Sequence, residues 1–137
     1  MSTLSKLKVD DEWRTSAAEI DEEHEKFFDL TQRLVAVVRN ATDNSIILQA
    51  LSTLQQRFRL HALAEEQYAG ARDAEAVLIL REDHRTLLEG LGELRGLVGK
   101  LSKPALVDKV EAVALSIKRH ESEVDVPLFR LMTARRP

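Results

Sequence analysis

The sequence predicts an all-α protein, and three observations support that fold class. Proline is absent from residues 1–103, and Gly70 is the only glycine before position 90. Apolar side chains recur at helical spacing, with short polar breaks between the periodic segments. The 137 residues are enough for one domain with a buried core. We therefore expect an up-down-up-down antiparallel four-helix bundle over residues 16–137, preceded by an extended N-terminal arm, residues 1–15, that Trp13 anchors.

The first two helices are predicted from capping residues and apolar stripes. The first runs from Ser16 to Arg39, with Ser16 and Glu19 spaced as a capping box. Its apolar stripe consists of Ile20, Phe27, Leu34 and Val38. The second helix runs from about Ser45 to Tyr68 and has a narrow stripe whose last two members are polar: Ile47, Leu51, Leu54, Phe58, His61 and Glu65.

The third helix is predicted from Ala74 to Leu101, after a break at residues 70–73. Its inner side is apolar except for His84. Four of the five glycines fall in its second half, at positions 90, 92, 96 and 99. Each interior glycine costs about 1 kcal/mol relative to alanine. We therefore expect this half to be the least stable part of the bundle.

The fourth helix is predicted to start at Ser102, with Pro104 in its first turn. Its inner stripe again ends in a histidine: Leu106, Val110, Val113, Ile117 and His120. Pro127 disfavours the α conformation at Val126 and lacks a backbone donor. The helix should therefore end or distort around Asp125.

Composition narrows the classes of partner and metal site. A net charge of −3, with no basic run longer than Arg135-Arg136, argues against nucleic acid or an anionic membrane as a partner. Since cysteine is absent, any metal must be held by nitrogen and oxygen, which favours iron, manganese or zinc. Residues 1–6 lack an apolar signal-peptide core, and no run of 18 apolar residues exists. We expect a cytoplasmic protein.

The histidines form the strongest functional signal. The chain has four, and each falls on the apolar or boundary side of a different predicted helix: His24, His61, His84 and His120. In an antiparallel bundle all four lie at the same level. A single buried histidine is usually satisfied by its neighbours, but four in one layer require compensation for lost hydration. A metal site provides that compensation.

Two carboxylates are candidate ligands beside the imidazoles. Glu65 lies one turn after His61, and Asp125 lies five residues after His120. Five steps of about 100° leave side chains about 140° apart on an ideal helix. Asp125 therefore faces the histidines only if the helix distorts near Pro127, and it is otherwise a solvated residue near a helix end. Carboxylates that bridge two metal ions reduce their repulsion and fix their separation.

These residues resemble the hemerythrins, which are non-haem di-iron proteins on a four-helix bundle. The resemblance rests on Ile20-Asp21-Glu22-Glu23-His24, His61-x-x-x-Glu65, His84 and His120-x-x-x-x-Asp125, with Trp13 ahead of them, and it covers nearly the whole chain. It implies two iron ions with a bridging oxo or hydroxo group. It also implies that His24 and His61 bind one iron, that His84 and His120 bind the other, and that Glu65 and Asp125 bridge the two.

One ligand of the family pattern is missing. The family has a histidine four residues before His84, and Leu80 occupies that position here. The resemblance then implies an open or water-filled position on both irons, binding of azide or nitric oxide at the second iron, and faster oxidation of the diferrous state. The alternative is a replacement ligand, such as Tyr68 or a nearby glutamate.

Other positions also bear on the site. Glu121 and Ser116 stand where the family usually has apolar and aromatic residues near the oxygen pocket. Glu121 either faces that pocket, where it can deliver a proton, or points to solvent. Asp21 either hydrogen-bonds a ligand imidazole or is an acidic residue favoured by the helix dipole.

The resemblance implies a domain that binds dioxygen or senses oxygen or redox state, with a fast-oxidising site and a fused or partner signalling domain. An oxygen carrier or storage protein is a second hypothesis. A peroxidase-like or nitric-oxide-reducing enzyme is a third, and a metal-free bundle that only binds partners is a fourth. The sequence predicts six metal ligands: His24, His61, Glu65, His84, His120 and Asp125.

Overall fold

The computed structural model describes residues 18–134, and every regular element in that range is helical. The helices are α1 (Ala18–Asn40), α2 (Asn44–Gly70), α3 (Ala74–Leu97), α4 (Lys103–His120) and α5 (Val126–Ala134). A π-helical turn, Glu121–Asp125, joins α4 directly to α5. The all-α prediction is confirmed. The predictions for Trp13, Ser16 and the side chain of Glu19 lie outside the described residues.

Capping side chains fix the helix starts that follow the loops. Asp43 accepts a hydrogen bond from the Ser45 amide at 2.8 Å, and Asp73 accepts from the Glu75 amide at 3.0 Å. Ser102 accepts from the Ala105 amide at 3.4 Å. These caps satisfy backbone donors that lack a partner in the first turn. They place the helix starts within one residue of the predicted positions.

The third helix ends earlier than predicted. It stops at Leu97 instead of Leu101, because Val98 is extended and Gly99 has a φ of +85°. Only glycine adopts that left-handed conformation at little cost, so Gly99 closes the helix. The prediction treated Gly99 as one more interior glycine, and in that respect it was wrong.

The four long helices pack as a bundle. Each of α1 to α3 contacts the next helix along the chain, and α4 also packs against α1. The interior contains two apolar clusters. The larger one includes Phe27, Phe58, Leu91 and Ile117, and the smaller one includes Ile20, Tyr68, Leu80 and Phe129.

A polar layer separates the two apolar clusters, as the order of residues along the helices indicates. In α1, His24 stands between Ile20 of the smaller cluster and Phe27 of the larger one. In α2 and α3 the histidine again stands between members of the two clusters, and His120 at the end of α4 follows Ile117 of the larger cluster and precedes Phe129 of the smaller one, which lies in α5. Apolar side chains therefore flank the histidines on both sides. No helix within residues 18–134 is long and apolar enough to cross a membrane.

Candidate metal centre

Seven ionisable side chains form the polar layer, and each is at most 5% exposed: His24, His61, Glu65, His84, His120, Glu121 and Asp125. The six predicted ligands are all among them, drawn from all four long helices and the π-helical turn. Glu121 is the additional member. So many ionisable groups leave water together only when charge and hydrogen bonding compensate each other.

The seven side chains form two overlapping groups. His24, His61, Glu121 and Asp125 each offer a ligand atom, and these atoms all lie within 4.8 Å of one another. Glu65, His84, His120 and Asp125 do the same. We call these the first and second groups. Because Asp125 belongs to both, the two groups adjoin.

Glu65 and Asp125 lie between the histidines of the two groups. One Glu65 oxygen is 3.3 Å from Nε2 of His24, and the other is 3.1 Å from Nε2 of His61 and 2.9 Å from Nε2 of His84. One Asp125 oxygen is 3.5 Å from Nε2 of His24, and the other is 2.8 Å from Nε2 of His120. Each carboxylate therefore faces both groups, as a bridging carboxylate must.

The π-helical turn brings Asp125 into the layer. Its Val126 amide donates to the Glu121 carbonyl, five residues back, so the turn holds one more residue than a turn of α-helix. This wider turn corrects the phase error between His120 and Asp125. The predicted distortion near Pro127 is confirmed, although Val126 keeps helical angles and the helix continues into α5. Asp125 is fully buried, which excludes the solvated alternative.

Outer carboxylates orient two of the imidazoles. Nδ1 of His84 lies 2.8 Å from Glu66, and Nδ1 of His120 lies 3.0 Å from Asp83. Such contacts fix the ring orientation and the tautomer, which leaves Nε2 facing the centre. Sequence reasoning missed both residues. Their only signal is that each stands next to a ligand candidate in the chain.

Aromatic rings close the side of the layer that faces the larger cluster. Phe27 stacks on His61 with ring centroids 5.4 Å apart, and Phe58 meets the edge of His84 at 5.8 Å and of His120 at 6.5 Å. Both phenylalanines are buried. These contacts hold the imidazoles in place and keep bulk water away from them.

Charge is strongly coupled across the layer. Burial alone would lower the pKa of His24, but the carboxylates of Glu121, Asp125 and Glu65 outweigh it and raise that pKa well above its usual value. The same opposition raises the pKa of His61, and Asp125 with Glu65 raises the pKa of His120 to about 12. Protons on these imidazoles thus balance the carboxylates when no cation is present. A bound metal would displace them.

The carboxyl groups respond differently to the same burial. Burial would raise the pKa of Glu65, yet His61 and its other neighbours hold it well below the usual value. Burial raises the pKa of Glu121 to about 7, and burial together with Glu65 raises the pKa of Asp125. Glu65 is therefore the carboxylate that the histidines stabilise most.

Several polar atoms in the layer lack a hydrogen bond to any described residue. They are both ring nitrogens of His61, Nε2 of His120, and both carboxylate oxygens of Glu121 and of Asp125. Buried polar groups without partners are rare, and each calls for an explanation. Nitrogen and oxygen atoms that converge in this way fit a divalent cation.

Leu80 contributes no ligand to the second group. It is fully buried in the smaller apolar cluster, together with Tyr68 and Phe129. Glu121, which enters the layer in addition to the six predicted ligands, belongs to the first group and so does not replace the histidine missing at Leu80. Its burial excludes the solvent-facing alternative. Asp21 is buried near the start of α1, a position that both interpretations of that residue allow.

The family model of the hemerythrin HHE cation binding domain matches residues 15–131 of the chain. No curated protein and no solved structure matches the chain significantly. The matched range includes every member of both groups, so the two clusters of ionisable side chains coincide with a cation-binding domain. The chain belongs to the hemerythrin HHE cation-binding family.

Proposed function

We propose that the chain is a non-haem di-iron protein that binds dioxygen or responds to oxygen or redox state as a regulatory domain. The observation that carries this proposal is the pair of adjoining donor groups that share Asp125. One group would suit a single ion. Two groups with Glu65 and Asp125 between them suit two ions, because bridging carboxylates offset the repulsion between neighbouring cations.

The proposed ligands follow from the two groups. His24 and His61 bind one ion, His84 and His120 bind the other, and Glu65 and Asp125 bridge the pair. When bound, two irons with an oxo or hydroxo bridge supply redox chemistry and a coordination position for dioxygen or nitric oxide. The donor set of imidazole and carboxylate suits iron, and it contains no soft sulfur ligand that would favour copper.

The remaining residues position these ligands. Glu66 and Asp83 orient His84 and His120. Phe27 and Phe58 pack against the imidazoles. Water is kept from the layer by apolar side chains on both sides, so charge within it interacts more strongly than at a surface.

The direction of the helices is part of the proposal. His24 lies early in α1 and His61 late in α2, while His84 lies in the first half of α3 and His120 ends α4. These residues meet in one layer only if consecutive helices alternate in direction. We therefore favour an up-down-up-down topology within a single domain.

Sensing is favoured over oxygen storage by the ligand set of the second group. With Leu80 in the apolar cluster, that group has two histidines and two carboxylates. An ion held by so few protein ligands would keep a coordination position for an external ligand, so an oxidant would reach it more readily. Such a site reports the presence of an oxidant better than it stores oxygen. The same open coordination position favours a second candidate function, a peroxidase-like or nitric-oxide-reducing enzyme. Turnover of hydrogen peroxide or nitric oxide by the iron-loaded protein would identify it.

Anaerobic reconstitution with ferrous iron tests the proposal. We expect about two equivalents of iron to survive removal of free metal, and an optical change when air is admitted. A protein that keeps less than about half an equivalent would contradict a di-iron function. If the iron stays bound but its optical spectrum changes neither in air nor on addition of nitric oxide, only the sensing role is contradicted.

A further inference from the structure

The carboxylate of Glu121 has no function in the ligand scheme above, yet it is one of the most buried acids in the protein. The side chain is 1% exposed. One carboxylate oxygen lies 3.4 Å from Nε2 of His61, and the other lies 3.8 Å from Nδ1 of His24. Neither oxygen has a hydrogen-bond partner among residues 18–134.

The first of these distances matches the distance between two ligands of a common ion. Two ligands about 2.1 Å from one ion, at right angles to each other, lie about 3 Å apart. The Glu121 oxygen and the His61 nitrogen exceed this spacing by only a few tenths of an ångström. The first group also meets this condition as a whole, since one ligand atom from each of its four residues lies within 4.8 Å of the other three. A small movement would bring Glu121 into coordination.

The backbone holds Glu121 in this position. It is the first residue of the π-helical turn, and its carbonyl accepts the Val126 amide. The turn buries Glu121 together with its neighbour His120, while Glu123, two residues later, is exposed. The turn that brings Asp125 inward therefore also contains a second inward carboxylate.

The two groups then differ in the number of protein ligands. The first offers the imidazoles of His24 and His61 and the carboxylates of Glu65, Asp125 and Glu121. The second offers only two imidazoles and the shared carboxylates, with apolar Leu80 in the adjoining cluster. The second group therefore has more room for an external ligand.

Access from the surface also favours the second group. His120 lines a surface depression with Asp83, Thr86 and Arg119. His84 lines another, with Glu66 and Arg85 among its neighbours. Each depression therefore reaches a histidine of the second group.

We propose that Glu121 is a ligand of the ion held by His24 and His61, and that external ligands consequently bind at the ion held by His84 and His120. This inference rests on the proposed di-metal function. It assigns Glu121 a coordinating role and identifies the ion that is open to small molecules.

The test compares Glu121→Gln and Glu121→Leu with wild type and with a control, Glu123→Gln. Glu123 lies in the same turn and is exposed, so its replacement removes a carboxylate from the same segment without touching the layer. Because Glu123 also lines the depression at His120, this control shows whether a charge at that entrance alone changes the number of azide ions bound. Far-UV circular dichroism checks folding. Metal retention is measured by chelator competition on the iron-loaded protein, and azide binding by optical titration.

Wild type and Glu123→Gln should retain two ions and bind one azide per chain. Glu121→Leu should hold one ion at least about tenfold more weakly, and with both ions present it should bind a second azide. Glu121→Gln should weaken metal retention less than Glu121→Leu does. Adding Leu80→His to wild type should suppress azide binding, and adding it to Glu121→Leu should leave one azide per chain at the other ion.

The outcomes separate this inference from the function on which it rests. If wild type retains no iron, the di-iron function and the role of Glu121 both fail. If wild type retains two ions and both Glu121 variants match Glu123→Gln in metal retention and azide binding, only the role of Glu121 is overturned. Azide binding that Leu80→His leaves unchanged would overturn the assignment of the open ion.

Discussion

Replacement of Glu65 should perturb the centre more than any other single change. Its carboxylate contacts Nε2 of His24, His61 and His84 at 3.3, 3.1 and 2.9 Å, and it is fully buried. Glu65 also helps to raise the pKa of His24, His61 and His120, and for His61 it is the largest such contribution. In Glu65→Ala the metal-free protein keeps these imidazoles but loses a counter-charge that all three share. The metal-loaded protein loses the carboxylate that faces both groups.

The magnitude follows from the burial of the network. Removing one partner of a buried ion pair costs about 3–5 kcal/mol, because the other partner is left without compensation. At roughly 3–5 °C per kcal/mol for a chain of this size, the metal-free variant should melt about 10–20 °C below wild type. It should also lose at least one of the two ions.

Thermal unfolding followed by circular dichroism measures the first effect, and iron content after chelator treatment measures the second. The matched control is Glu22→Gln, which removes one carboxylate from an exposed position in α1. It should change the free energy of unfolding by less than about 0.5 kcal/mol. If Glu65→Ala unfolds at the wild-type temperature and keeps both ions, Glu65 does not link the two groups.

Three further predictions concern other parts of the structure. Leu80→His should add a ligand beside His84, change the iron spectrum and slow autoxidation; an unchanged spectrum and rate would refute our account of the missing ligand. Because the folded-state pKa of His120 is raised to about 12, its stabilising contribution is present below its unfolded value near 6.5 and is lost as the pH rises toward 12. The melting temperature of the metal-free protein should therefore fall from pH 7 to 9, while metal binding tightens. The rise in melting temperature that metal causes should accordingly grow over this range. A rise that becomes smaller would contradict the proposed balance of charge. Gly90→Ala should stabilise α3 by about 1 kcal/mol, since its new Cβ meets only Val113 at 4.0 Å among the described residues, whereas Gly99→Ala, at φ +85°, should destabilise the protein by a similar amount in urea unfolding.

Much of the fold could be predicted because its signals are local. Asp73 and Ser102 cap helices where a polar residue precedes an apolar stripe. The layer of histidines could be predicted because each imidazole continues an apolar stripe on its own helix. The early end of α3 could not, since it depends on one glycine adopting a left-handed conformation in a segment with several glycines.

The direction of Glu121 could not be predicted for a different reason. On a regular helix, adjacent residues point about 100° apart, so an inward His120 leaves its neighbour at the edge of the interior. The π-helical turn shifts this phase by one residue. Pro127 indicated a distortion but not its type. Glu66 and Asp83 were missed because their contacts depend on the distance between helices, which no spacing in the sequence encodes.

Anomalous diffraction at the iron edge, from crystals of the iron-loaded protein, tests the central claim most directly. We predict two peaks about 3.5–4 Å apart, with Glu65 and Asp125 between them and two imidazoles beside each. A single peak in this layer, or iron bound only at the protein surface, would contradict the account.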